Sequence, residues 1–143
     1  MNRTRLHCYL ATWSALVVLA VAGCGGSNPV AVTGKIVPPA NVKLVDTDSV
    51  TLDFVAEDPK GKSAATDAKD LAFTSKDIIP GKYQVVVQIQ PYSGLPDSEK
   101  RARVFEALNN KFSRQHSKLA VEISKDAQQS IVIDLDKGSV SKN

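Results

Sequence analysis

The chain has 143 residues, of which 43% are hydrophobic and 23% are charged, and its formal net charge is +3. This length and composition suit one compact domain with one modest hydrophobic core. A charge so close to zero provides no electrostatic footprint for nucleic acid, so we expect no nucleic-acid partner.

The first residues carry the pattern of an export signal. Arg3 and Arg5 precede an apolar segment from Leu10 to Ala22, and Cys24 follows it after one glycine. A basic start, an apolar run and small residues before a cut are typical of a secretory signal peptide. The run has about a dozen apolar residues, too few for the roughly 20 that span a bilayer. We therefore predict a signal peptide over residues 1–23.

The cysteine at the end of this segment indicates a lipid anchor. The pattern resembles the bacterial lipobox, in which a signal peptidase cleaves before a cysteine that then carries lipid; its four positions are Val21, Ala22, Gly23 and Cys24. At least two acyl chains are attached in this way, and each buried methylene contributes about 0.8 kcal/mol, so the attachment would be permanent. Residues 24–29 would form the lipidated cysteine and a short flexible tether.

Processing would also change the charge and the cysteine content of the mature chain. Removal of Arg3 and Arg5 leaves a nearly neutral protein, and Cys8 leaves with the signal peptide. Since Cys24 carries lipid, no cysteine pair remains to form a disulfide, and the domain must be held by its core alone. We expect a protein of the cell envelope, anchored on its periplasmic or outer-membrane face.

Between Val30 and Ile89, apolar residues alternate with polar ones and turn residues separate the runs, which predicts several short antiparallel strands. The first strand must end at Pro38, because proline donates no ladder hydrogen bond. The most regular alternation follows Pro80-Gly81, where Tyr83 and Val85 begin an inward-facing row. We expect strands over residues 30–37, 42–44, 50–56, 63–66, 71–74 and 83–90, with a turn at 67–70.

The region after Pro91 changes period. Asp97 or Ser98 can cap a helix, and Ala102, Phe105 and Leu108 recur at spacings of three and four. This predicts a short inserted helix over about residues 97–110. It is either a lid or partner helix, or a connection laid across an open end of the sheet. Its basic residues either contact lipid headgroups or form a solvated face: Lys100, Arg101, Arg103 and Lys111.

Two more alternating runs, 119–123 and 131–135, are separated by a polar turn, and we predict that they form a final hairpin. The sandwich domain would then cover residues 30–137. The last residues, 138–143, contain Val140 as their single apolar residue, so we expect a disordered tail.

The order of these segments resembles a known family. The matching stretches are Val32-Thr33-Gly34-Lys35-Ile36, residues 50–54, residues 68–74 and Pro80-Gly81-Lys82-Tyr83 with the strand that follows. Together with the lipobox they are similar to the small lipoproteins, abundant in planctomycete bacteria, that carry a carboxypeptidase-regulatory-like or transthyretin-like domain. The resemblance implies a mainly β fold, an Ig-like or transthyretin-like antiparallel β-sandwich of about seven strands with the one short helix inserted. It implies no activity.

Catalytic and metal chemistry have little basis in the sequence. His116 is the one histidine after Cys24, and no local signature surrounds it, so we expect a surface residue and no enzyme. A related hydrolase of hydroxyisourate needs several histidines and a C-terminal Tyr-Arg-Gly-Ser that this chain lacks. The acid pairs Asp46/Asp48, Asp67/Asp70 and Asp134/Asp136 are typical of turns that cap backbone amides, and we expect no metal and no cofactor.

These expectations lead to a non-enzymatic binding or structural module that interacts with another envelope protein, through an edge strand or the inserted helix. The alternative is a carbohydrate-binding module on the cell surface. Tyr92, in a loop, is the candidate contact for a sugar, whereas Tyr83 falls on the apolar face and is expected in the core. Nothing in the sequence sets an oligomeric state.

Overall fold

The computed structural model describes residues 28–126 and 128–143, and this part of the chain is mainly β. The predicted signal peptide, lipobox and lipidated Cys24 lie outside the described residues. The strands and the helix are, in chain order, β1 (Val30–Val37), β2 (Ser49–Ala56), β3 (Ala64–Lys69), β4 (Ala72–Ile78), β5 (Gly81–Gln90), α1 (Ser98–Lys111), β6 (Ala120–Ile123), β7 (Gln128–Asp134) and β8 (Ser139–Lys142).

The eight described strands form one sheet in the order β6-β5-β2-β3-β4-β1-β7-β8. The sheet folds back on itself at the β3–β4 hairpin, where only Ala68 with Phe73 and Lys69 with Ala72 are paired. The edge strands β6 and β8 also come close to each other, so the sandwich is nearly closed. The predicted antiparallel β-sandwich is confirmed, with one strand more than expected and with one parallel pair, β1 and β7.

The core follows from the period-two alternation of the strands. Phe54 on β2 is fully buried and lies 6.0 Å from the ring of Phe73 on β4 and 6.3 Å from the ring of Tyr83 on β5. The Phe73 ring lies against Gly34 on β1 and leaves no room for a side chain there. A Cβ at this position would be 2.5 Å from Phe73 Cζ. The contact between Phe54 and Phe73 joins the two layers of the sandwich, and Tyr83 packs beside Phe54 within one layer.

The predicted final hairpin is wrong. β6 pairs antiparallel with β5, whereas β7 pairs parallel with β1, several strands away in the sheet. The chain crosses between the layers at Ser124, and the amide of Gln129 holds that crossing: its Oε1 accepts from Ser124 N–H at 3.0 Å, and its Nε2 donates to Ser124 O at 2.9 Å. The prediction failed because a polar turn between two alternating runs can belong to a crossover connection as well as to a hairpin.

The predicted disordered tail is also wrong, because residues 139–142 form β8 against β7. The Asp134 carboxylate accepts the backbone N–H groups of Asp136 at 3.1 Å and Lys137 at 2.9 Å, and Gly138 takes a positive φ of 63°. The bond from Lys137 lowers the pKa of Asp134 from its ordinary value. This turn brings Val140 back onto the core.

Two smaller expectations also need correction. Residues 42–44 form no strand, although Val42 is buried. The turn expected at 67–70 lies at Asp70 and Leu71, both with positive φ, because β3 continues to Lys69. Asp67 belongs to that strand, where its carboxylate accepts the Thr51 hydroxyl at 2.9 Å.

The register gives the sandwich two distinct ends. The end at which β1 begins, here called the proximal end, also carries residues 57–63, 79–80 and 124–126. The opposite or distal end carries the β1–β2 loop (38–48), the β3–β4 turn (70–71), the β5–α1 loop (91–97) and the β7–β8 turn (135–138).

Helix α1, predicted at about 97–110, is confirmed and completes the edge of β5. β6 pairs only with the first half of that strand. Beyond it, the N–H groups of Val85 and Val87 donate to the carbonyls of Leu119 (2.8 Å) and Phe112 (3.1 Å). At Ile89 the side chain of Asn109 replaces a strand: Oδ1 accepts from Ile89 N–H at 2.7 Å, and Nδ2 donates to Ile89 O at 2.8 Å.

This arrangement favours one of the two alternatives for the inserted segment. Phe105 and Phe112 are 2% and 3% exposed, so the helix and its C-terminal end contribute to the core. The segment is a connection that covers an open edge of the sheet, and an exposed edge of that length would otherwise be open to pairing with other chains.

Asn109→Ala should lower the free energy of unfolding by about 1–3 kcal/mol, because it leaves the Ile89 N–H and C=O without partners. Chemical denaturation of wild type and variant measures this change. Asn110→Ala is the matched control, since Asn110 is exposed and its side chain makes no hydrogen bond among the described residues. Equal loss of stability in both variants would contradict this role of Asn109.

Candidate functional site

The outer face of β2 and β5 carries a groove of about 670 Å³, here called the sheet groove. Its floor is made by small apolar side chains on three neighbouring strands: Ala65, Val55 and Val86. Val86 is only 4% exposed although it points away from the core. The segment after α1 lies along the far side of β5 and forms one wall of the groove. The small side chains between this wall and β3 leave the space of the groove.

Polar side chains without partners border this floor. Asp53, Gln88 and Gln90 on the strands and Arg114 after α1 all line the groove, and none makes a side-chain hydrogen bond or ion pair within residues 28–126 and 128–143. Asn109, near the end of α1, also lines the groove, but its side-chain amide is bonded to the backbone of Ile89. The groove therefore offers a carboxylate, a guanidinium and two amides to a ligand while its wall is fixed.

A second constellation lies at the distal end, around the carboxylate of Asp48. This side chain is 1% exposed and forms an ion pair with Arg101 of α1, whose side chain is 11% exposed. It also accepts the N–H groups of Val45 at 2.9 Å and Tyr92 at 3.1 Å. Arg101 in turn lies over the Phe105 ring, 5.3 Å from its centre. Asp48 thus ties together the β1–β2 loop, the β5–α1 loop and the helix.

Large exposed apolar side chains occur on the elements at this end of the sandwich. Val37 and Val45 are each 41% exposed, Tyr92 is 51% exposed and Val104 is 40% exposed, and the described residues contain no other large exposed hydrophobic side chain. Val104, on α1, lines a cleft of about 400 Å³ with the β1–β2 loop. These four residues, here called the distal apolar set, all lie at the distal end or beside it.

The structure places Tyr92 and Tyr83 in different environments. Tyr83 is in the core, as predicted, and its hydroxyl donates to Ile79 O; burial raises its pKa above the ordinary value. Tyr92 is exposed, but Gly94 lies against its ring, where a Cβ would be 2.5 Å from Tyr92 Cε1. One ring with a shielded face provides a small platform for a sugar.

The other predicted residues have local roles. His116 is exposed and its Nδ1 lies 3.1 Å from Ser113 Oγ in the same turn. Of the acid pairs, Asp48, Asp67 and Asp134 accept hydrogen bonds from the protein itself. Across residues 28–126 and 128–143, no three histidine, cysteine, aspartate or glutamate side chains cluster as metal ligands do.

Sequence reasoning did not find the sheet groove or the pairing of Asp48 with Arg101. The groove combines residues from β2, β3, β5 and the segment after α1, which are distant in sequence. Its one sequence signal is Val86, an apolar residue in the outward-facing row of β5 that otherwise carries one lysine and three glutamines. The Asp48 pair spans 53 positions, and no spacing rule connects such residues.

Comparison with known proteins identifies no relative: no protein-family model, curated protein or solved structure matches the chain. The resemblance to carboxypeptidase-regulatory-like lipoproteins therefore stays a prediction. Among the described residues, no helix has the length and apolar character needed to cross a membrane.

Asp48→Ala should lower the free energy of unfolding by about 3–5 kcal/mol, because it leaves the nearly buried Arg101 guanidinium without its carboxylate and removes the acceptor of two backbone N–H groups. Denaturant unfolding measures the change. Asp46→Ala, two residues earlier and exposed, is the control and should stay within about 0.5 kcal/mol of wild type. A small effect of Asp48→Ala would show that water replaces the carboxylate without penalty.

Proposed function

We propose that the chain is a lipid-anchored protein of the bacterial cell envelope that binds another envelope protein through its distal end and catalyses no reaction. The anchor is Cys24, at the end of the predicted signal peptide. The proposal joins this sequence pattern to the direction in which the sandwich is built.

The position of β1 orients the domain. Residues 24–29 separate the proposed lipid from Val30, and six residues reach at most about 20 Å when fully extended. The proximal end would therefore stay near the membrane surface. β1 has eight residues and, at about 3.3 Å for each residue, carries the chain about 26 Å towards the distal end. The distal loops would point away from the bilayer.

The distal apolar set is the observation that carries this proposal. Single exposed apolar residues are common on protein surfaces, but a group of them marks an interaction site. Val45 and Tyr92 lie in loops of the end that faces away from the proposed anchor, and Val37 and Val104 lie beside it, where a partner in the envelope has access. Asp48 holds their loops in place before binding, which reduces the ordering entropy that association must overcome.

The site chemistry supports a protein partner over the alternatives. A carbohydrate-binding module would need aromatic faces for sugar rings, and Tyr92 supplies one ring with one side covered. An enzyme would need a base with an orienting partner, whereas His116 contacts Ser113 in an exposed turn. The resemblance to a family of small planctomycete-type lipoproteins agrees with a non-enzymatic envelope protein.

A photo-crosslinking residue at Val45 or Tyr92 should capture a discrete protein in intact cells, because both positions lie in the proposed contact. Capture is measured by mass spectrometry of the purified adduct. The same crosslinker at Lys60, an exposed position of the proximal end, is the control and should not capture that protein. Equal capture from Lys60, or none from the distal positions, would contradict a distal interface.

The anchor is tested in the same cells. Cys24→Ser should move the protein out of the membrane fraction and abolish capture at Val45, since the lipid holds the domain beside its partner. Cys8→Ser, within the predicted signal peptide, should leave both unchanged. An unchanged membrane fraction for Cys24→Ser would refute lipid anchoring.

A further inference from the structure

We propose that the sheet groove is a second binding site, separate from the distal end, which takes an extended peptide carrying one basic and one acidic side chain close together. The proposal rests on the unpartnered Asp53 and Arg114, which line the same groove from different elements. It does not depend on the proposed function.

The strand register places Asp53 on the floor of the groove, whereas Arg114 belongs to its wall. Across the sheet, Asp53 lies between Ala65 of β3 and Val86 of β5. Arg114 belongs to the segment on the far side of β5, where Phe112 and Leu119 bond to that strand. β5 alone separates the strand of Asp53 from the segment of Arg114, and both side chains line the same groove. A ligand with charges of both signs can engage both groups at once.

Two outward-facing amides of β5, which follow Val86 towards the distal end of the same groove, suit a peptide backbone. Gln88 and Gln90 are exposed and make no side-chain hydrogen bond among the described residues. Each amide both donates and accepts, as a peptide unit does, so it can pair with backbone N–H and C=O groups. The small floor side chains leave room for a main chain to approach, and the groove volume is within the range of ligand sites.

The same composition disfavours two other ligand classes. No aromatic side chain lines the groove, so a sugar ring has no face on which to stack. A purely anionic ligand would be attracted by Arg114 but repelled by the Asp53 carboxylate. A purely cationic ligand would be attracted by Asp53 but repelled by Arg114. A peptide of mixed charge satisfies both groups and is the ligand class that the groove fits.

The test uses the full-length lipidated protein in detergent and follows amide NMR shifts on addition of three end-capped peptides. The probes are Gly-Lys-Ala-Glu-Gly, Gly-Lys-Ala-Lys-Gly and Gly-Glu-Ala-Glu-Gly. Wild type should bind the mixed-charge probe about two- to fivefold more tightly than the others, the range expected for an exposed ion pair. The shifts should centre on Gln88 and Gln90.

Charge reversal should change the order of the probes. Arg114→Glu should prefer the dilysine probe, and Asp53→Lys should prefer the diglutamate probe. Lys118→Glu, an exposed basic residue four positions beyond Arg114 that does not line the groove, should keep the wild-type order. Thermal unfolding of each variant confirms that the fold is retained.

Three results would overturn the proposal. They are an unchanged probe order in both groove variants, no shift at Gln88 and Gln90 with any peptide in wild type, and tighter binding of cellopentaose than of the mixed-charge peptide. None of these bears on capture at Val45, so the groove and the distal interface fail independently.

Discussion

The distal half of β5 has no neighbouring strand on its outer edge, and this determines where α1 and the segment after it lie. This strand has ten residues, whereas its edge partner β6 has four, so the distal half of β5 needs other hydrogen-bond partners. Backbone groups next to a core must be satisfied. The chain meets this need with the end of α1 and the segment after it, and finally with the Asn109 side chain at Ile89.

The helix and the segment after it also shape the distal end and the sheet groove. Because α1 runs beside β5, Phe105 enters the core and Arg101 reaches Asp48, which orders the distal loops. Because the segment after the helix returns along the same edge, Arg114 stands beside the outer face of the sheet and forms a wall of the sheet groove. A helix whose direct role is to cover an edge thereby shapes both surfaces that we propose for binding.

The sequence allowed the elements to be predicted better than their pairing. Period-two alternation identified the inward row of β5, and the spacing of Phe105 and Leu108 identified the helix, because both patterns are local. The hairpin of β6 with β7 failed because a polar turn has the same appearance whether the chain pairs with itself or crosses to another layer. The tail failed because β8 depends on the Asp134 turn and on packing of Val140, which composition does not encode.

We propose that the proximal end faces the membrane and that the distal end faces the partner. Relaxation of backbone amides by nitroxide-labelled lipid, measured on the lipidated protein in bicelles, tests this orientation most directly. We expect strong broadening at Lys60 and Lys125 and little at Val45 and Tyr92. Stronger broadening at Val45 and Tyr92 than at the proximal residues would contradict it, because the distal apolar set would then lie against lipid.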